Sequence, residues 1–183
     1  YDTRLHAYLE KYLREGKEHS DWAAPNEAYE DSFKSFASYL LDKKQVFFPK
    51  FHDFLVKYLD FGISNSLNQL VLKLTCPGIP DVYQGSELWE LGFVDPDNRR
   101  PVDYALRQEY LEKIKASSLQ DQTSALWEER HSGKIKLALL HHLLRMRADH
   151  ADVFRDGLYQ PVEVVGKYKR HVLAYARKYR QDW

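Results

Sequence analysis

One cysteine, Cys76, stands in a chain of 183 residues. An internal disulfide is therefore excluded, which fits a reducing compartment. Charge of one sign is also lacking: Lys+Arg and Asp+Glu are 27 each, for a formal net charge of zero. That excludes the strong basic field that draws nucleic acid or anionic lipid to a surface. No apolar run approaches the roughly 20 residues of a membrane helix. The opening Tyr1-Asp2-Thr3-Arg4 has no feature of a secretory leader. Internal repeats and low-complexity stretches are missing too. Together these absences lead to the expectation of a soluble, cytoplasmic protein with neither nucleic acid nor membrane as partner. What is present is enough apolar material for a core, at 44% of residues, and a length suited to one domain or one and a half. Aromatics are plentiful, with 13 Tyr and 4 Trp. Aromatic faces line sugar sites because the apolar face of a pyranose packs on a ring, although core packing and surface patching explain most such residues.

Hydrophobic spacing predicts a mainly helical chain. Leu5, Tyr8, Leu9, Tyr12 and Leu13 mark a helix over Arg4 to Arg14, with Gly16 as its stop. Asn26 caps a second helix that carries Tyr29, Phe33, Phe36, Ala37 and Leu40 inward and ends near Lys43. A third helix runs from Phe47 to Leu59, broken at Gly62, and a fourth carries Leu67, Leu70, Val71 and Leu74 up to Pro77-Gly78. Ile79 to Tyr83 reads as a short buried strand. Gly85 to Pro101 is a long loop, and Leu88, Trp89, Leu91, Phe93 and Val94 are expected to pin it in place. Asp103 caps the next helix, Ser118 to Arg130 is a short one, and Lys134 to Arg147 buries Ile135, Ala138, Leu139, Leu143 and Met146. Tyr159 to Val165 and His171 to Tyr179 alternate as the strands of a hairpin with Gly166 to Arg170 as the turn. A lone hairpin is marginal in water, so a chain ending at Trp183 looks cut off inside a β-domain.

The segment Leu72 to Glu87, with Pro77-Gly78, Ile79 to Val82, Tyr83, Gln84, Gly85 and Glu87, resembles the last helix-to-strand passage of alpha-amylase-type barrels. Leu88-Trp89-Glu90 and Val94-Asp95-Pro96-Asp97-Asn98-Arg99-Arg100-Pro101-Val102-Asp103-Tyr104 are similar to a signature of the maltooligosyl trehalose synthases of glycoside hydrolase family 13. Trp22, Pro25 to Glu30, Lys134 to Lys136, Leu143 to Arg145 and Phe154 to Gly157 extend the resemblance along almost the whole chain. It implies a helical insertion and the last strand and helix of a (β/α)8 barrel over residues 1–150, then the first hairpin of a C-terminal β-domain over 151–183. It implies a parent enzyme that converts the reducing-end α-1,4 bond of a maltooligosaccharide into an α-1,1 bond, with no cofactor. The catalytic carboxylates of that family have no counterpart here, so no catalytic residue is expected in this segment, which would be inactive alone. Its partners would be the maltooligosaccharide and the remainder of its own barrel.

Loops after barrel strands form the active face. The resemblance therefore makes Tyr83, Gln84, Glu87, Trp89, Asp95, Asp97, Arg99 and Arg100 candidate substrate contacts. Carboxylates can accept sugar hydroxyls, and Arg suits bidentate pairing with an acidic group. The competing reading is structural: Asp-Pro and Asp-Asn form turns, and the arginines make ion pairs within the loop. Glu87 is expected to brace neighbouring loops. Trp22 and Trp89 could stack on glucose or simply close the surface. A calcium loop is rejected, because Arg100 stands where an EF-hand needs Gly. His141 and His142, being adjacent, lack the i, i+4 spacing of helical metal ligands, and no metal is expected. Two other readings stay open: a non-catalytic glucan-binding helical module, and a piece of an amylase-type glucan hydrolase.

Overall fold

The computed structural model describes residues 1–180. Its described part is mostly helical with one two-stranded antiparallel sheet. It divides into two compact units: residues 1–62 with 91–102, and residues 63–90 with those from Asp103 onward.

In the first unit, α1 (Asp2–Gly16) and α2 (Glu27–Leu41) pack against each other. α1 buries Leu9 and Leu13, an i, i+4 pair on one face. Its left-handed end falls on Lys17, at φ 56°, rather than at Gly16. Asn26 caps α2 as expected, its side chain accepting from the Tyr29 N–H at 3.2 Å. Of the expected apolar stripe of α2, Tyr29, Phe33, Ala37 and Leu40 are half-buried. Phe36 is exposed, and the buried residue is Glu30, only 1% accessible. Burial of a carboxylate is tolerated here because it is fully paired. Arg14 donates to it through Nε at 2.9 Å and Nη2 at 2.8 Å, and the Ser20 hydroxyl donates to Oε1. Ser20 in turn accepts from the Asn26 N–H at 3.0 Å. Arg14 first, then Ser20, pull the Glu30 carboxyl down to about 2.

α3 is one helix, Phe47–Thr75, where two were expected. Gly62 does not break it. A glycine inside a helix costs about 1 kcal/mol relative to alanine, which a long uninterrupted ladder absorbs.

The second unit holds the hydrophobic core. α4 (Tyr104–Lys115), α5 (Leu119–Glu128) and α6 (Lys134–Asp149) surround Leu88, Ile114, Leu126, Leu137 and Ala138. Asp103 and Ser118 cap α4 and α5 with side-chain oxygens, as read from the sequence for Asp103. A second cluster joins Leu140 of α6 to Leu70 and Leu74 at the end of α3. The expected stripe of α6 is thus only part of its buried surface, with Ala138 fully buried and Leu137 and Leu140 added to it. The buried residues are Leu137, Ala138 and Leu140, with Ile135, Leu139 and Leu143 packed at the margins. α6 serves two clusters, so its apolar surface is wider than a single-face reading assumes.

Ile79 to Tyr83 forms no strand, and Ile79 is 98% exposed. A strand exists only through a neighbour's backbone groups, and the one sheet among the described residues lies elsewhere. That sheet pairs β1 (Leu158–Pro161) with β2 (Tyr175–Lys178), from Leu158↔Lys178 to Pro161↔Tyr175. Both strands are shorter than expected, and a short α7 (Ala151–Asp156) precedes them. The Arg177 guanidinium donates through Nη2 to the carbonyls of Phe154 and Gly157, at 3.1 and 2.9 Å, tying β2 to the end of α7. Trp183, on which the expectation of a truncated β-domain rested, lies outside the described residues.

Candidate functional site

The expected substrate-contact residues fall in both units. In the first unit they lie on residues 95–100, around a short 3-10 turn at Asp97–Arg99. Asp97 is the hub. Arg4 of α1 grips it bidentately, Nε to Oδ1 at 2.8 Å and Nη2 to Oδ2 at 2.7 Å. The Phe93 N–H donates to the same carboxylate at 2.6 Å, and Arg100 Nε lies 3.3 Å away. Arg4, then the Phe93 amide, hold the Asp97 carboxyl well below the usual carboxylate range. Arg4 also donates to the Leu91 carbonyl at 2.8 Å, and Lys11 donates to the Asp95 carbonyl. Tyr8 stacks on Phe93 with ring centroids 4.9 Å apart. Between α1 and this loop lies a cavity of about 230 Å³, lined in part by Arg4, Tyr8, Lys11, Phe93 and Asp95. Asp95 and Arg99 pair with each other near the surface, and Arg99 is exposed.

In the second unit, Tyr83 and Gln84 are exposed, with Tyr83 at 52%. The Tyr83 carbonyl accepts from the Ser86 hydroxyl and amide, at 2.6 and 3.1 Å, which closes a turn. Glu87 is held by Arg107 of α4: Nε donates to Oε2 at 2.9 Å, while Nη2 donates to the Gly85 carbonyl at 2.6 Å. Trp89 donates through Nε1 to the Arg130 carbonyl at 2.7 Å. Lys136 sits over its ring at 5.4 Å and donates to the Leu88 carbonyl at 3.1 Å. Burial, then Lys73, lower the Lys136 pKa, against the opposing pull of Glu87 and Glu90. Leu88 is buried, while Leu91 and Val94, expected to pin the loop, are exposed. Trp89 and Phe93 are half-buried as expected, and polar anchors add to their hold. Arg4, Lys11, Arg107 and Lys136 were not singled out from the sequence as anchors, because each acts across 20 or more residues and no local pattern marks it.

The geometry separates two kinds of residue. Asp97, Glu87 and the Trp89 indole spend their polar groups on the protein itself. Tyr83 and Gln84 are exposed, and Asp95 and Arg99 form an ion pair at the surface. The described residues include no helix long and apolar enough to cross a membrane.

No protein-family model matches the chain. Two Mycobacterium tuberculosis proteins, from strains CDC 1551 and H37Rv, carry the name maltooligosyl trehalose synthase and are 38% identical to it over 174 residues. The match covers 95% of this chain and 20% of each relative, so the chain spans about a fifth of their length. The crystal structure of a maltooligosyl trehalose synthase superposes with a TM-score of 0.85 at 31% identity, over 96% of this chain and 23% of that one. The enzyme from Arthrobacter ramosus gives 0.82 at 30% identity, over 97% of this chain and 22% of that one. By sequence and by fold, along nearly its whole length, the chain corresponds to one segment of the maltooligosyl trehalose synthase family.

Proposed function

We propose that the chain works as part of a cytoplasmic glucan 1-α-glucosylmutase of the alpha-amylase superfamily, which moves the reducing-end glucose of a maltooligosaccharide from an α-1,4 to an α-1,1 bond. The observation that carries this reading is the agreement of sequence and fold with named synthases over 95% or more of the chain. In such a reaction a carboxylate attacks the anomeric carbon as an acid protonates the departing glucose. That glucose then attacks the glycosyl-enzyme through its own anomeric hydroxyl, whose proton returns to the acid/base. No water is consumed. Retaining chemistry of this kind uses two carboxyl groups ~5–5.5 Å apart, and on this reading both come from outside the segment.

The segment's role is then to hold glucan and shape its surroundings. Tyr83, Gln84, Asp95 and Arg99 have polar groups suited to sugar hydroxyls, with Trp89 as an apolar wall. Asp97, Arg100 and Glu87 keep their loops in place. Residues 1–150 would be the helical insertion and the end of the barrel, in which neighbouring strands give Ile79 to Tyr83 the backbone partners it needs. Residues from 151 would open the C-terminal β-domain. The test is to assay this chain and the full-length protein with maltopentaose. Trehalose-capped product from the full-length protein, and none from the chain alone, is expected. Turnover by the pure chain would overturn the assignment of both carboxylates to other segments.

A further inference from the structure

The first half of α3 carries more apolar surface than a surface helix needs. Phe47, Phe51, Phe54, Leu55, Tyr58 and Phe61 are all exposed, Phe54 at 61% and Phe61 at 65%. Every residue from 49 to 59 is exposed. At about 100° per residue, the apolar side chains from Phe61 round to Leu59 spread over about 160° of the helix, against the roughly 100° stripe that seats a surface helix on one neighbour. Lys50, Asp53 and Lys57 fall together within about 60° of the remaining arc of about 200°, which also carries the exposed Val56. The rings already contact one another along the helix: Phe47 and Phe51 at 5.6 Å, Phe54 and Tyr58 at 4.7 Å. Contiguous apolar surface of this extent marks a covered face.

We infer that the apolar arc of residues 47–61 is an interior face of the full-length protein, covered across its width by apolar surface from the same polypeptide outside this segment, with the side that carries Lys50, Asp53 and Lys57 in water. Two observations choose that occupant. The relatives are about five times as long as the matched segment, so the polypeptide to cover it is at hand. A second copy joined by a two-fold contact lays one stripe on another, which leaves one flank of a 160° arc bare by the same wheel estimate. The inference rests on the correspondence to part of a longer protein and not on the reaction.

Thiol accessibility tests it in the full-length protein, with Cys76 and any other native thiol replaced. Phe54→Cys reports the apolar arc and Asp53→Cys the side in water, with Leu55→Cys in reserve where Phe54→Cys fails to fold. A maleimide should label position 54 at least about tenfold more slowly than position 53, since only local opening exposes it. In the 183-residue chain the two rates should be similar. Equal labelling at both positions in the full-length protein overturns the inference. So does protection that vanishes on dilution, because it assigns the face to a second copy. Activity toward maltopentaose is read separately, so loss of the functional assignment would leave the labelling result standing.

Discussion

Replacing Gly133 with alanine isolates the junction on which the second unit turns. Gly133 stands before α6 at φ 82° and ψ −6°, in the left-handed region. A side chain there costs about 1–2 kcal/mol in backbone strain. A Cβ would also lie 2.9 Å from the Trp89 amide nitrogen and 3.1 Å from Leu88 Cβ. Neither neighbour yields easily. The Trp89 indole is tied to the Arg130 carbonyl, the Leu88 carbonyl to Lys136, and Leu88 sits in the core. Overpacking of this kind adds about 1–3 kcal/mol. The reduced freedom of the unfolded chain returns about 0.4–1 kcal/mol, so a net loss of about 1–5 kcal/mol is expected. Gly62→Ala is the control. Gly62 lies inside α3 with nothing within 4 Å of an added Cβ, and its φ is not positive. That change should stabilise by about 0.5–1 kcal/mol. Gly133→Asn separates the two costs, because asparagine tolerates the left-handed region but keeps the Cβ. It should fall between glycine and alanine. The measurement is urea denaturation of the chain followed by far-ultraviolet circular dichroism. Gly133→Ala within about 0.5 kcal/mol of the parent, the ordinary range for surface changes, would refute the close-approach reasoning.

Three further outcomes are expected. Leu74→Ala, at a fully buried position packed with Leu70 and Leu140, should cost about 2–5 kcal/mol in the same denaturation experiment. A loss below 1 kcal/mol, about what volume-conserving swaps cost, would mean that cluster is loosely packed. The Glu30 carboxyl is held at about 2 in the folded chain against 4.5 unperturbed, so its contribution is complete above 4.5 and disappears as pH falls through about 2. Trp22, with Arg14 stacked 4.9 Å over its ring, should report that loss by fluorescence. Glu30→Gln should remove the dependence, and a persistent transition in that variant would shift it to other carboxylates. In the full-length protein, Arg99→Ala should lower kcat/KM for maltooligosaccharides with an unchanged melting temperature, because Arg99 is exposed and pairs with the adjacent Asp95. Unaltered kinetics would confine Arg99 to loop structure.

Helix starts were legible because their causes are local. Asn26 and Asp103 each accept a hydrogen bond from an amide three residues on, a geometry the residue type alone can signal. The turn between Tyr159 and Tyr175 was legible for the same reason, since Gly166 and its polar neighbours mark a chain reversal. The family signature at Asp95 to Asp103 was readable as a linear string, and it pointed to the relatives that sequence and fold comparison found.

The readings that failed depended on more than the residues' own types. Gly62 looked like a break because propensity is scored residue by residue, whereas the α3 ladder is cooperative. Ile79 to Tyr83 looked like a buried strand because its side chains are apolar, yet a strand is made by backbone groups on another segment. Composition and local pattern thus determined that the chain is helical, where most of its helices begin, and which family string it carries. Tertiary structure alone decided that Glu30 is buried, that Arg4 and Arg107 hold the loops, and that α6 faces two clusters. Each of these depends on where a side chain finds its partner many residues away, and a one-dimensional pattern holds no distance across space.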